Sequence, residues 1–154
     1  MRRLAYTMTV TLALAAAGSA AAEQLTPEEQ ILTRQAGYTF MSWNMGKIKQ
    51  DLEGDFSQVR VAAAANAIAG IANSGMGALY GPGTDKDIGD VKTRVKPELF
   101  TEQEEVGKVA RNFIEAANNM AEAASMAESK ADVKDAFVKL GESCKACHKK
   151  FRED

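Results

Sequence analysis

Residues 133–151 read VKDAFVKLGESCKACHKKF and contain both cysteines and the only histidine of the chain. Their apolar residues recur every three or four positions, which predicts a helix with one buried face. Cys144, Cys147 and His148 fall on that face, because residues i, i+3 and i+4 of a helix share a side. Cys-x-x-Cys-His is the pattern that attaches a c-type haem, with two thioether bonds and an imidazole on the iron. The segment therefore predicts a helix that carries one covalent haem c.

Two other interpretations of the cysteine pair are weaker. A disulfide or a thiol redox site leaves the adjacent histidine unexplained, and the chain lacks the βαβ setting of such sites. A structural zinc site needs one ligand more than the two cysteines and one histidine that the chain contains. A thiol–disulfide redox protein is therefore kept only as a minor alternative.

The amino terminus predicts export. Two arginines precede an apolar stretch, and three alanines at 20–22 form a small-residue cleavage site before Glu23. The apolar stretch contains threonines and is shorter than the roughly 20 residues of a bilayer span. We therefore expect residues 1–22 to be a cleaved signal peptide and residues 23–154 to form one periplasmic domain without a membrane span. The full chain has a net charge of −2, which argues against nucleic acid as a partner.

The rest of the chain predicts three more helices. A capping box at 26–29 begins the first, which Gly54 ends. An alanine-rich stretch from Ser57 to Asn73 forms the second, and another capping box at 101–104 begins the third. No stretch alternates apolar and polar residues as a strand would. The side chains expected to line the core from the first and third helices are Ile31, Tyr38, Met41, Met45, Ile48, Leu52, Val106, Ala110, Phe113, Ala117, Met120 and Ala124.

A long connection, residues 75–97, joins the second and third helices through a glycine-rich part and a charged part. Neither a dinucleotide fingerprint nor a calcium loop is complete there, since one lacks its third glycine and the other has Lys96 in place of its glutamate. We interpret the segment as a crossover that contacts the cofactor. With short links elsewhere, the predicted architecture is an all-α, antiparallel four-helix bundle with covalently attached haem c.

Several segments match one family in order and spacing. The motif Cys144-x-x-Cys147-His148-x-x-x-Arg152 closes an exported, all-helical chain. Three more segments look like the first helix, the crossover and the entry to the third helix of the same family, and they are residues 32–41, 81–84 and 92–98. In these features the chain resembles cytochrome c′, and most closely the cytochromes c′ of purple photosynthetic bacteria.

The resemblance implies a five-coordinate, high-spin iron with His148 as its axial ligand. On the opposite, distal side a packed side chain obstructs the iron, and Tyr38 matches that position. Arg34, one helical turn earlier, is implied to reach a haem propionate. The remaining positions that match haem-edge contacts, with ordinary solvent-exposed polar groups as the alternative for each, are Gln35, Thr93 and Arg94.

Three further side chains have two interpretations each. Met41 and Met45 lie on the inner stripe of the first helix, where methionine either fills the core or, as in low-spin relatives, ligates the iron. Arg152 follows His148 by one helical turn and is either a group that tunes the imidazole or a surface charge. With a tyrosine at the distal position, we favour an open sixth coordination position.

Phe40 and Trp43 lie off the inner stripe and predict an exposed apolar patch. Because family members pair through this helix, the resemblance implies a homodimer, with a monomer as the alternative. It also implies one-electron transport with unknown redox partners and the capacity to bind small diatomic gases such as NO and CO. Dedicated sequestering or sensing of these gases is the alternative function. An apolar distal side without a second histidine argues against oxygen-activating catalysis, so we expect a protein that is not an enzyme.

Overall fold

The computed structural model describes residues 24–153, and the predicted signal peptide, residues 1–22, lies outside them. This part of the chain is helical and contains no named strand. A short 3-10 helix spans Met76–Leu79 within the crossover. The α-helices are α1 (Pro27–Glu53), α2 (Gln58–Ala72), α3 (Glu98–Thr101), α4 (Gln103–Met126) and α5 (Lys130–Phe151). The four long helices form the predicted bundle.

Local hydrogen bonds explain where α1 and α5 begin. The Thr26 hydroxyl accepts from Glu29 N at 3.3 Å, and the Glu29 carboxylate accepts from Thr26 N at 2.8 Å. At the start of α5, the Asp132 carboxylate accepts from Ser129 N at 2.8 Å. These bonds satisfy N–H groups that a helix start leaves unpaired. Gly54 ends α1 as predicted.

The start of α4 differs from the prediction. Thr101 ends the short helix α3, and Glu102 interrupts the helical path with φ −100° and ψ 54°. The Thr101 hydroxyl donates to Glu98 O instead of capping α4, so the capping box at 101–104 is wrong. The buried residue in this part of α4 is Val109, whereas Ala110 is exposed.

The core lies between α1, α2, α4 and α5. Helix α1 packs on α2, α2 on α4, and α4 on α5, whereas α1 and α5 touch each other much less. Val61, Ala65, Ile68 and Ala72, which follow helical spacing along one face of α2, are all buried, and the small alanines let the neighbouring helices approach closely. The largest apolar side chains with little or no solvent exposure are Ile31, Ile48, Ile68, Met120, Leu140, Val61 and Val133.

A second cluster joins the crossover to the end of α5. Leu99, Val109 and Phe151 are buried together, and Cys147 packs against them. Backbone bonds from Lys96 N to Phe151 O (3.0 Å) and from the Glu153 amide to a crossover carbonyl (2.7 Å) extend this contact. This contact is why Val109 rather than Ala110 turns inward. None of the described helices is both long and apolar enough to cross a membrane.

Candidate haem site

Helix α5 brings the three residues of the Cys-x-x-Cys-His motif to one face. Cys144, Cys147 and His148 are each half-buried, and both thiols are free. Leu140 and Phe151, which flank the motif on the same helix, are buried. The motif face is therefore directed toward the inside of the bundle, as the spacing predicted.

Burial sets the protonation of these three groups. It raises the pKa of the Cys144 and Cys147 thiols. It also lowers the pKa of His148, and the positive charges of Arg152 and Arg94 add to this effect. The imidazole is therefore neutral at physiological pH, which is the form that binds a metal.

Arg152 lies beside His148 at the end of α5. Its Nη1 is 3.4 Å from His148 Nε2, and its backbone N donates to His148 O at 3.0 Å. Arg94 is exposed on the crossover, and its carbonyl accepts from Glu153 N at 2.7 Å. Both arginines thus place positive charge near the imidazole.

On α1, the Arg34 guanidinium is buried, with 2% of its surface exposed. Its Nη1 donates to Leu79 O at 2.9 Å. Its Nη2 donates to Thr84 O at 2.7 Å and to the Thr93 hydroxyl at 2.9 Å. Burial lowers the pKa of this group. Within residues 24–153 no carboxylate forms an ion pair with Arg34, whose hydrogen-bonding partners are neutral.

Tyr38 projects from α1 and meets Tyr80 of the crossover. Their hydroxyl oxygens are 2.9 Å apart, a hydrogen-bonding distance. Burial raises the pKa of both phenols, although 40% of the Tyr38 surface is accessible. The nearby Cys147 and Cys144 thiols raise the pKa of Tyr38 further.

Tyr80 was missed by the sequence analysis. The available signal was composition, because Tyr38 and Tyr80 are the only tyrosines after residue 22. Gln35, in contrast, is exposed and donates from Nε2 to Lys92 O at 2.6 Å. Met41 and Met45 both pack in the helical core.

The donor set fits a haem. Two thiols and a neutral imidazole share one face of α5, as covalent attachment and axial ligation require. The buried Arg34 cation, surrounded by neutral acceptors, suits an anionic group such as a propionate. No group of three or more His, Cys, Asp and Glu side chains among residues 24–153 is arranged to hold a bare metal ion.

The family model described as Cytochrome C′ matches residues 29–152. The chain belongs to the cytochrome c′ family. Cytochromes c′ carry covalently bound haem c, and their structures are four-helix bundles. The predicted family, fold and cofactor are therefore confirmed.

Purple bacterial cytochromes c′ are among its relatives. The cytochrome c′ of Allochromatium vinosum is 62% identical over 149 residues, which are 97% of this chain and 96% of that protein. The crystal structure of cytochrome c′ from Thermochromatium tepidum is 62% identical with a TM-score of 0.82, covering 85% of this chain and 99% of that one. A cytochrome c′ with ligand-controlled dimer dissociation is 63% identical with a TM-score of 0.83, covering 84% and 98%.

Proposed function

We propose that this cytochrome c′ is a periplasmic mono-haem protein that transfers single electrons and binds small diatomic gases, such as NO and CO, at its distal side. The observation that carries the proposal is the placement of two half-buried thiols and a neutral imidazole on one face of α5, near enough to the phenol of Tyr38 for the thiols to influence its pKa. When bound, haem supplies a one-electron couple and, if the iron has an open position, a site for a diatomic ligand. No catalytic turnover is proposed.

The haem-binding residues follow from the site. Cys144 and Cys147 provide the thioether links, and His148 provides the axial ligand. Arg34 supplies the buried positive charge for a propionate, since its hydrogen bonds leave that charge without an anionic partner. Gln35, Thr93 and Arg94 are the proposed contacts with the haem edge. Arg152, whose Nη1 lies 3.4 Å from His148 Nε2, tunes the basicity of the imidazole.

Tyr38 is the proposed distal gate. A phenol that retains its proton is a poor iron ligand, and the raised pKa of Tyr38 keeps it protonated at physiological pH. Its ring nevertheless obstructs the approach of a small molecule. Met41 and Met45 pack against other helices, which supports core filling over iron ligation. These observations support five-coordinate iron.

A relative supports ligand binding and pairing. The cytochrome c′ that is 63% identical to this chain has a ligand-controlled dimer dissociation. In this chain, Phe40 and Trp43 are 48% and 57% exposed on α1, with ring centroids 5.4 Å apart. We propose a homodimer through this patch. Dedicated gas sequestering or sensing is the second candidate function, which the same relative favours.

Two alignment lengths support removal of residues 1–22 after export. The Allochromatium vinosum sequence matches 97% of this chain, and so includes most of the amino-terminal segment. The Thermochromatium tepidum structure matches over 99% of its own chain but only 85% of this one. A leader that is present in the gene product and missing from the mature protein gives this difference.

Replacement of Tyr38 by alanine tests the distal gate. We expect Tyr38→Ala to accelerate CO binding to the ferrous protein by about tenfold or more, because the ring no longer has to be displaced. Stopped-flow mixing with CO measures the rate. Met41→Leu is the matched control on the same helix and should leave the rate and the ferric spin state unchanged. An unaltered rate in Tyr38→Ala would refute the gate.

A further inference from the structure

We propose that Tyr80 is a positioning residue, which holds Tyr38 over the iron through the hydrogen bond between their hydroxyl groups and so limits gas binding. This proposal rests on the proposed function, in which Tyr38 is the distal gate. It assigns to the crossover a direct part in ligand access. We call the hydroxyl pair of Tyr38 and Tyr80 the tyrosine latch.

The backbone on both sides of Tyr80 is bound to α1. The carbonyl of Leu79 accepts from Arg34 Nη1 at 2.9 Å, and the amide of Gly81 donates to Gln30 Oε1 at 3.0 Å. A Cβ at position 81 would lie 2.7 Å from Gln30 Oε1, so any other residue there would shift the Gln30 amide from its present position. Tyr80 is therefore clamped at two adjacent peptide groups against the helix that carries Tyr38.

The ring of Tyr80 is also fixed. The Arg34 guanidinium carbon lies 4.5 Å from its centroid, which is a cation–π contact. The ring of Phe100 meets it edge-on, with centroids 6.4 Å apart. Because its backbone and its ring are both held, Tyr80 presents its hydroxyl to Tyr38 at a fixed position.

The latch opposes any displacement of Tyr38. Both phenols keep their protons because burial raises their pKa, so one hydroxyl donates and the other accepts. When Tyr38 moves aside for a ligand, the hydrogen bond at 2.9 Å breaks and a partly buried hydroxyl loses its partner. A neutral hydrogen bond of this kind corresponds to about a two- to tenfold change in an equilibrium or rate constant.

A double-mutant cycle on the haem-loaded mature protein tests the latch. Tyr80→Phe and Tyr38→Phe each remove one hydroxyl and keep the ring. We expect each to raise the CO association rate by about two- to tenfold, and the double variant to be no faster than the faster single variant. Ser74→Ala, which removes an exposed hydroxyl that bonds only to Ile71 O, is the control and should have no effect.

A second measurement does not depend on gas binding. The mature chain contains only these two tyrosines, so ultraviolet resonance Raman bands of tyrosine report the latch alone. In the ferric protein we expect the tyrosine bands of wild type to differ from the sum of those of Tyr38→Phe and Tyr80→Phe, because in each single variant the remaining hydroxyl bonds to water instead of to the other phenol. A wild-type spectrum equal to that sum would overturn the proposal.

A failed gate and a failed latch give different results. If Tyr38→Ala accelerates CO binding but Tyr80→Phe does not, the gate stands and the latch is wrong. Additive effects of Tyr38→Phe and Tyr80→Phe would also overturn the latch, because two independent hydroxyls do not share one bond. If Tyr38→Ala leaves CO binding unchanged, the proposed gate itself is wrong.

Discussion

The motif side chains have the protonation that haem attachment and ligation require. Burial raises the pKa of both thiols, so they remain thiols rather than charged thiolates until they react. The same burial, with two nearby arginines, keeps His148 neutral and able to bind iron. Burial therefore gives Cys144, Cys147 and His148 the protonation states that haem binding needs, which the spacing of the motif alone does not show.

Substitutions in the motif test the residue assignments. We expect the double variant Cys144→Ala/Cys147→Ala to lose its haem completely on acid–acetone extraction, since no thioether remains, whereas each single variant keeps one bond. His148→Ala should change the ferric spectrum because the axial ligand is lost. Lys149→Ala, an exposed neighbour, serves as the control for both measurements.

Resistance of the double cysteine variant to extraction would show that the haem is bound covalently elsewhere. A ferric spectrum of His148→Ala identical to that of wild type would remove the histidine from the iron. Either result contradicts the assignment of the motif.

The sequence alone predicts the placement of residues whose partners are near in the chain. It placed both cysteines and the histidine correctly on one face, because helical spacing alone decides that arrangement. It could not find Tyr80, whose partner Tyr38 is 42 residues away. It also could not show that Arg34 bonds to carbonyls at 79 and 84, since the path of the crossover decides those contacts.

Helix α1 is the element that organises the site. One of its faces holds the crossover through Gln30, Arg34, Gln35 and Tyr38. Its inner stripe packs into the core through Met41 and other apolar side chains. The crossover has little regular structure of its own, so its position depends on these side-chain bonds from α1 and on its backbone bonds to the end of α5.

Arg34→Ala tests this dependence. The substitution removes the guanidinium donor to the carbonyls of Leu79 and Thr84 and to the Thr93 hydroxyl, and Thr84 has no solvent exposure. We expect a loss of about 2–4 kcal/mol in the free energy of unfolding. Gln35→Ala, which removes one exposed bond to the crossover, should cost less than about 1 kcal/mol. Urea unfolding of the ferric protein measures both, and equal losses would show that Arg34 is not the main anchor.

The starts of the helices show where the local sequence is enough to predict the structure. The starts of α1 and α5 were predictable because an acidic side chain three residues into each segment bonds back to the cap. The start of α4 was not, because Thr101 belongs to the short helix before it and uses its hydroxyl there. The choice of Val109 over Ala110 depends on contacts with Leu99 and Phe151, which lie in other elements.

For the whole molecule, the exposed patch on α1 is the proposed dimer contact. The rings of Phe40 and Trp43 lie close together in a tilted arrangement, and Lys47 Nζ lies 4.6 Å from the centre of the Trp43 ring. This face of α1 is separate from the face that holds the crossover. The same helix would therefore join the pairing surface to the haem site.

Trp43→Glu should weaken this dimer at least about tenfold, because an apolar contact at the interface is replaced by a buried charge. Sedimentation velocity over a range of protein concentrations measures the change. Val138→Glu is the control, since Val138 is an exposed apolar residue on α5, away from the patch. A Trp43→Glu protein that pairs as strongly as wild type, or equal weakening in both variants, would contradict pairing through α1.

The central claim is that a covalently bound haem has His148 on one side and an open, gated position on the side of Tyr38. The most direct test is the visible absorption spectrum of the purified mature protein before and after CO is added to its reduced form. We predict a high-spin ferrous spectrum that CO converts to that of a six-coordinate complex. A low-spin spectrum that CO leaves unchanged would contradict the claim, because it would show that the sixth position is already filled.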